Sequence, residues 1–286
     1  MDATEFPRPL RSDLQRVTET LEMLAPRWSV WTLATLTDQP QRYTEIKPQL
    51  AMLEDGQLAP RLARLTADGL VERQEHHTRY VAYRLTRRGQ ELRAVCTALA
   101  AYGETHLDDA KAENAGGLIP PAQNAEDVLA LLTPKHATPL LWALRLQQQG
   151  TGRELAALLG KAPELLYHPL RRLVDDGLVE RSARSTYQLS ATGVALSTPF
   201  RTLSAWAAGR SAATVHPLWT EFVPHSRADL DRQWAATRST SEPPVHAPRA
   251  DAVLRPRTTA WIPSDLFSEV PPAQPAGRVA AGGRTR

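Results

Sequence analysis

One twelve-residue stretch occurs twice in this chain of 286 residues and constrains it more than any other feature. The first copy is Leu62-Ala63-Arg64-Leu65-Thr66-Ala67-Asp68-Gly69-Leu70-Val71-Glu72-Arg73. The second is Leu170-Arg171-Arg172-Leu173-Val174-Asp175-Asp176-Gly177-Leu178-Val179-Glu180-Arg181. Each reads as the end of a helix running into a strand. Leu62 and Leu65, like Leu170 and Leu173, have the i,i+3 spacing of one apolar helical face. Gly69 and Gly177 stand where a helix ends in a left-handed residue, a conformation that costs glycine little. Leu70-Val71 and Leu178-Val179 then begin extended runs. Both copies go on to a second short strand and another helix, through Tyr83-Arg84-Leu85-Thr86-Arg87-Arg88-Gly89 and Tyr187-Gln188-Leu189-Ser190-Ala191-Thr192-Gly193. Thr86 and Ser190 suit N-cap positions. Helix, strand, turn, strand and helix make the second half of a winged helix-turn-helix unit, and the chain is expected to hold two.

The register supports a duplication. Asp176 follows Asp68 by 108 positions, Gly193 follows Gly89 by 104, and Trp206 follows Tyr102 by 104. The loss of four residues falls in the wing, where loop length varies freely. A shared pattern broken once, at a surface loop, is stronger than either motif alone.

In chain order, residues 12–107 form the first expected module. A helix capped at Ser12 or Asp13 carries Leu14, Val17, Leu21 and Leu24. Pro26 separates it from a second helix with Trp28, Trp31, Leu33 and Leu36. Pro48 limits a short third helix. The helix Gln57 to Asp68, with Leu58, Leu62 and Leu65 inward, is the one placed to enter a DNA groove. The wing spans Leu70 to Leu85, with its tip at His77-Thr78-Arg79. Residues 108–124 are a linker marked by Asn114-Ala115-Gly116-Gly117 and Pro120-Pro121. Residues 125–209 repeat the pattern as the second module. Residues 210–286 form a largely disordered tail. Ten of the 23 prolines fall after residue 213, although Leu218-Trp219 could pack back on the core. The fold class is mainly α with small β wings: two tandem winged helix-turn-helix modules plus a disordered C-terminal tail.

Composition limits the function classes. A net charge of +3 permits a nucleic-acid partner without demanding one. The single cysteine, Cys96, forbids an intrachain disulfide and reads as a small hydrophobe. The start Met1-Asp2-Ala3-Thr4-Glu5 lacks a signal-peptide pattern, and no apolar run is long enough to span a bilayer. The expectation is a cytoplasmic protein without a membrane partner. His76-His77 lacks partners at metal-ligand spacing. No phosphate loop, dinucleotide glycine motif or nucleophile motif occurs. No cofactor, metal or enzymatic activity is therefore expected.

Arg27-Trp28, Arg42-Tyr43-Thr44-Glu45-Ile46, Leu62 to Arg73 and Tyr83 to Gly89 resemble the HxlR-type winged-helix transcriptional regulators of bacteria. The resemblance covers residues 12–107 well and 125–209 more weakly. It implies operator DNA binding, with one recognition helix per half-site, and pairing through first and last helices. Members are usually single-module homodimers; here two modules lie on one chain, which suggests an intrachain pseudo-dimer. The sequence departs from the family in three places. The stretch Asp13-Leu14-Gln15-Arg16 lacks the cysteine that many members carry. Glu54-Asp55-Gly56 and Ala162-Pro163-Glu164 stand where polar or basic residues usually open the recognition helix. Pro60 and Pro169 fall inside both of those helices and are expected to shorten or kink them.

DNA binding needs cations against phosphates and polar groups at base edges. The candidates are Gln57, Arg61, Arg64, His76, His77 and Arg79 in the first module. In the second they are Lys161, Tyr167, His168, Arg171, Arg172 and Arg184. Ordinary solvated surface charge is the competing account. Asp55 is expected to act as an N-cap. Trp28, Trp31, Tyr102, Trp142 and Trp206 are expected to pack between the modules; the alternative is an aromatic pocket for a small-molecule effector. The reading is a transcriptional regulator whose partner is double-stranded DNA, with an effector and a further homodimer left open. The competing reading is a winged-helix protein that has lost DNA binding and binds a small aromatic ligand or a protein.

Overall fold

The computed structural model describes residues 6–75, 81–107, 120–182, 185–211 and 213–220. The wing tip with His76, His77 and Arg79, residues 108–119 of the expected linker, Arg184 and everything after Thr220 lie outside the described residues, while residues 121–124 of that linker already belong to a helix. The tail's expected disorder and its apolar stretch Ala260 to Phe267 lie outside them too.

The first half opens with α1 (Arg8–Leu24), whose Leu10, Leu14, Val17, Leu21 and Leu24 are buried along one stripe. The helix begins earlier than Ser12, because Pro7 and Pro9 are tolerated at its cap and first turn. α2 (Ser29–Thr35) follows, entered through Trp28 at φ +73°. Then come β1 (Gln41–Arg42), α3 (Tyr43–Ile46) and a 3-10 turn, Lys47–Leu50, at Pro48. α4 (Asp55–Ala67), β2 (Val71–Glu75), β3 (Val81–Leu85) and α5 (Arg87–His106) complete it. The second half runs α6 (Pro121–Leu132), α7 (Ala137–Gln147), β4 (Gln149–Thr151), α8 (Gly152–Leu159) and α9 (Glu164–Asp175). β5 (Val179–Arg181), β6 (Thr186–Leu189), α10 (Ala191–Ala195) and α11 (Ser197–Ala207) end it. The two antiparallel sheets have the orders β1-β3-β2 and β4-β6-β5. Val71 faces Leu85 in one and Val179 faces Leu189 in the other.

Local chemistry matches between the halves. Gly69 and Gly177 both have φ +72°. The N–H groups of Leu70 and Leu178 reach back to the carbonyls of Leu65 and Leu173, each at 3.0 Å, and satisfy the ends of α4 and α9. Thr86 and Ser190 accept from the N–H groups of Gly89 and Gly193 at 3.1 and 3.0 Å. Their hydroxyls donate to the carbonyls of Gly69 and Gly177. A Cβ on Gly89 or Gly193 would overlap the carbonyl oxygen of Leu70 or Leu178, so glycine lets the closing helix sit against the wing. The closing helices differ: α5 is continuous, whereas its counterpart breaks at Leu196 into α10 and α11. Pro199 lies in the first turn of α11, where its missing N–H costs least.

One hydrophobic core runs through both halves. α5 packs along α6 and against α11, and α1 packs against α11. The first and last helices of each half thus meet the last and first helices of the other. Polar contacts lie in the same seam. Tyr102 donates to the carbonyl of Thr192 at 3.1 Å. Trp206 Nε1 donates to the carbonyl of Arg88 at 3.1 Å, and the Arg88 guanidinium lies 4.5 Å over its ring.

Residues 213–220 also belong to this core. Leu218 and Trp219, expected as a segment that could pack back on the core, do so and are each only 1 % exposed. Trp219 stacks on Phe200 at 4.6 Å and meets Trp142 edge-on at 5.9 Å. The Arg145 guanidinium donates to the carbonyls of Leu218 and Thr220. The segment is locked by Asp13, which is no helix cap but fully buried. Asp13 Oδ2 accepts from Ser204 Oγ at 2.6 Å and lies 2.8 Å from His216 Nε2, and Oδ1 accepts from Arg16 at 2.9 Å. His216 Nδ1 accepts from the N–H groups of Leu218 and Trp219, so the ring is neutral with its proton on Nε2. Burial alone would raise the Asp13 carboxyl; His216, Ser204 and Arg16 outweigh it and hold it below its ordinary value. Burial lowers His216, and Asp13 offsets this only in part.

Candidate nucleic-acid interface

The core stripe of each candidate helix decides which residues reach solvent. Leu58, Leu62 and Leu65 of α4 and Leu166, Leu170 and Leu173 of α9 are at most 1 % exposed. Each fully buried leucine contributes roughly 1.5–3 kcal/mol, enough to hold the helix in one rotational setting. The three pairs are 108 positions apart, so the two helices superimpose leucine on leucine. Pro60 and Pro169 are 109 apart and are therefore not equivalent. Pro169 matches Arg61, and His168 matches Pro60. Neither proline ends its helix, which continues to Ala67 or Asp175.

Arg61 does not face outward. It lies three residues after Leu58 and four before Leu65, on the flank of the core stripe, and is half-buried. Burial lowers its pKa, and the Glu126 carboxylate of α6 opposes that. Gln57 is exposed, but its Oε1 accepts the Glu54 N–H at 3.0 Å, which leaves its amide N–H₂ outward. Glu54, rather than Asp55, is the N-cap. Asp55 instead accepts from Tyr43 Oη at 2.8 Å. Burial is the main reason the Tyr43 hydroxyl is raised, with this bond second. Arg64 is exposed and paired with Asp68 at 3.0 Å.

In the second half Lys161, Tyr167, His168, Arg171 and Arg172 are all exposed. Arg171 lies 3.8 Å from Asp175 and Arg172 lies 3.6 Å from Asp176, looser than the Arg64 pair. An open concavity of about 660 Å³ lies between the start of α8, α9 and the β5–β6 wing. Tyr167, Arg171, Arg153, Arg181 and Tyr187 line it. Arg153 and Arg181 were missing from the sequence candidates. Arg153 could have been found from its place inside Thr151-x-x-Glu154, a readable capping box. Arg181 closes the repeated stretch itself.

The matching face of the first half is built differently. The Arg42 and Thr151 N–H groups both donate to a glutamate three residues on, at 2.7 Å in each case. That pairing sets Tyr43 against Gly152 and Thr44 against Arg153, while the leucine register sets Ala59 against Tyr167 and Ala63 against Arg171. The tyrosine has changed sides. At Gly152 a Cβ would stand 3.2 Å from the Tyr167 ring, so glycine makes room for it. In the first half Tyr43 occupies the α3 side and alanine stands opposite.

The five aromatic candidates do not gather around one cavity. Trp142 is fully buried among Phe200, His216 and Trp219. Tyr102 and Trp206 form the polar seam bonds between the halves. Trp28 and Trp31 pair edge-on at 6.2 Å, with Arg27 over Trp28. None of the five lines the concavity. Burial pushes the Cys96 thiol up to about 12. Among the described residues no group of three or more His, Cys, Asp or Glu could hold a metal ion, and no helix is long and apolar enough to cross a membrane.

Comparisons with known proteins point to one family. The model of the HxlR-like helix-turn-helix family matches residues 23–111, in the first half. The chain is similar to the HTH-type transcriptional regulator YodB of Bacillus subtilis (strain 168). They share 33% identity over 84 residues, 29% of this chain and 75% of that protein. It is also similar to the uncharacterized HTH-type transcriptional regulator YtcD of the same organism, with 29% identity over 94 residues, 32% of this chain and 75% of the relative. No solved structure matches.

Proposed function

Since the chain belongs to the HxlR-like helix-turn-helix family, we propose that it regulates transcription by binding double-stranded DNA through two tandem winged helix-turn-helix modules. In this reading one chain does the work of a homodimer. The observation that carries it is the reciprocal seam, in which α1 packs on α11 and α6 on α5. A first helix and a last helix meet twice, as the two subunits of a symmetric dimer would. α4 and α9 then act as recognition helices on successive major-groove faces, about 34 Å apart.

The proposed contacts are Gln57 and Arg64 on α4, and Lys161, Tyr167, His168, Arg171 and Arg172 on and before α9. The arginines suit guanine edges or phosphates, and the Gln57 amide suits purine N7 or guanine O6. His76, His77, Arg79 and Arg184, outside the described residues, are proposed as further contacts. The effector reading has less support, because Trp142, Tyr102 and Trp206 are engaged in packing. A gel shift against the gene's own upstream region at two salt concentrations tests the reading. Specific retention that weakens steeply with salt is expected. No retention, with fluorescence changes on adding small aromatic compounds, would favour the ligand-binding alternative.

A further inference from the structure

The two halves offer unlike charge to DNA. In the first half, among the described residues, three arginines near the binding face each have a carboxylate beside them. Arg42 pairs with Glu45 at 3.1 Å, Arg64 with Asp68 at 3.0 Å, and Arg73 with Glu75. In the second half, among the described residues, no ion pair holds Arg153 or Arg181. Among the described residues Arg181 donates to Ser185 Oγ at 3.1 Å and lies 5.9 Å over the Tyr187 ring. Arg171 has its carboxylate at 3.8 Å. These three arginines line one concavity between the recognition helix and the wing. A duplex that places a helix in the major groove and a wing beside it must run a phosphate strand across that gap. The equivalents of Arg153 and Arg171 in the first half are Thr44 and Ala63, uncharged and short.

We propose that the halves are unequal partners on DNA. The second half clamps the phosphate backbone through Arg153, Arg171 and Arg181 and supplies most of the salt-dependent affinity. The first half, although it carries the family match, adds little of it. Paired cations spend part of their field on their own carboxylates, so each releases fewer counterions when a phosphate arrives. This rests on the reading that the chain binds DNA.

The test uses the full chain and a mixed-sequence duplex, since the phosphate contribution needs no operator. Binding is measured over a salt series for two matched triple variants. One is Arg153→Ala, Arg171→Ala, Arg181→Ala; the other is Arg42→Ala, Arg64→Ala, Arg73→Ala. The second-half triple should lower the slope of log K against log salt by about 2–3 and weaken binding at least about tenfold. The first-half triple should change the slope by less than about 1. An equal or larger loss from the first-half triple overturns the proposal. If a triple melts below the wild type, the single variants Arg153→Ala and Arg181→Ala replace it, each expected to remove about one unit of slope. Unchanged slopes for both singles also overturn it. A wild-type chain that retains no duplex sinks the DNA reading itself, and is told apart by that result.

Discussion

Glu126, in the first helix of the second half, accepts the backbone N–H of Val30 at 3.2 Å, at the head of a helix in the first half. The N–H groups of Trp28 and Trp31 also favour its ionised form, against burial that raises its pKa. A carboxylate there meets the partial positive charge of the α2 N-terminus. Each half therefore completes the other, in backbone hydrogen bonding as well as in apolar packing.

Glu126→Ala removes that acceptor and leaves α2 without its cap. The expected loss is about 1–2 kcal/mol in a urea melt. Glu126→Gln keeps one acceptor oxygen and should lose less. Equal stability of the alanine variant and the wild type would remove the capping role.

Arg61 and Arg64 are three residues apart but should behave differently. Arg64→Ala is expected to weaken DNA binding with little change in melting temperature, since Arg64 is exposed, although Asp68 is not, and such pairs at the surface are worth about 0–1 kcal/mol. Arg61→Ala is expected to lower the melting temperature and leave DNA affinity within about threefold, because its side chain is half-buried beside the core stripe. Parallel melts and binding titrations on the two variants decide this.

These contrasts mark what the sequence could and could not reveal. The leucine stripes, the glycines at the helix ends and the caps at Thr86 and Ser190 follow from spacing within one helical turn, and all are present. Arg61 is half-buried, as its spacing from Leu58 beside the core stripe already implies. Asp13 had the composition of a cap, and its real partners lie 191 and 203 residues away in sequence. Nothing local signals such a contact. Trp219 sits in proline-rich sequence yet is core, stacked on Phe200 and edge-on to Trp142. The change of side between Tyr43 and Tyr167 is invisible until both helices are in register.

The Asp13–His216 lock should make the fold acid-sensitive. Burial holds His216 below its ordinary 6.5 in the folded chain. As pH falls through about 6.5 the unfolded chain takes up a proton that the folded chain refuses, so stability is lost. Asp13 is held below its ordinary 3.8, so a further loss follows below that value. Urea midpoints at about pH 7.5 and about pH 5 should fall for the wild type. His216→Gln should start lower and change less between the two. An equal fall in both proteins would assign the acid sensitivity elsewhere.

Gly89 and Gly193 offer a matched pair of backbone tests. A methyl group at either would meet the carbonyl of Leu70 or Leu178, and backbone cannot step aside as a flexible side chain can. Gly89→Ala and Gly193→Ala are each expected to cost about 1–3 kcal/mol or more in chemical denaturation. A neutral result at one glycine alone would mean that the two closing helices do not enter their wings alike.

The most direct test of the whole account is a hydroxyl-radical footprint of the chain on its upstream DNA, read together with the mass of the complex in sedimentation. The account predicts one chain per site and two protected patches on one face of the duplex, about one helical turn apart. A single protected patch, or two chains needed for two patches, would contradict it.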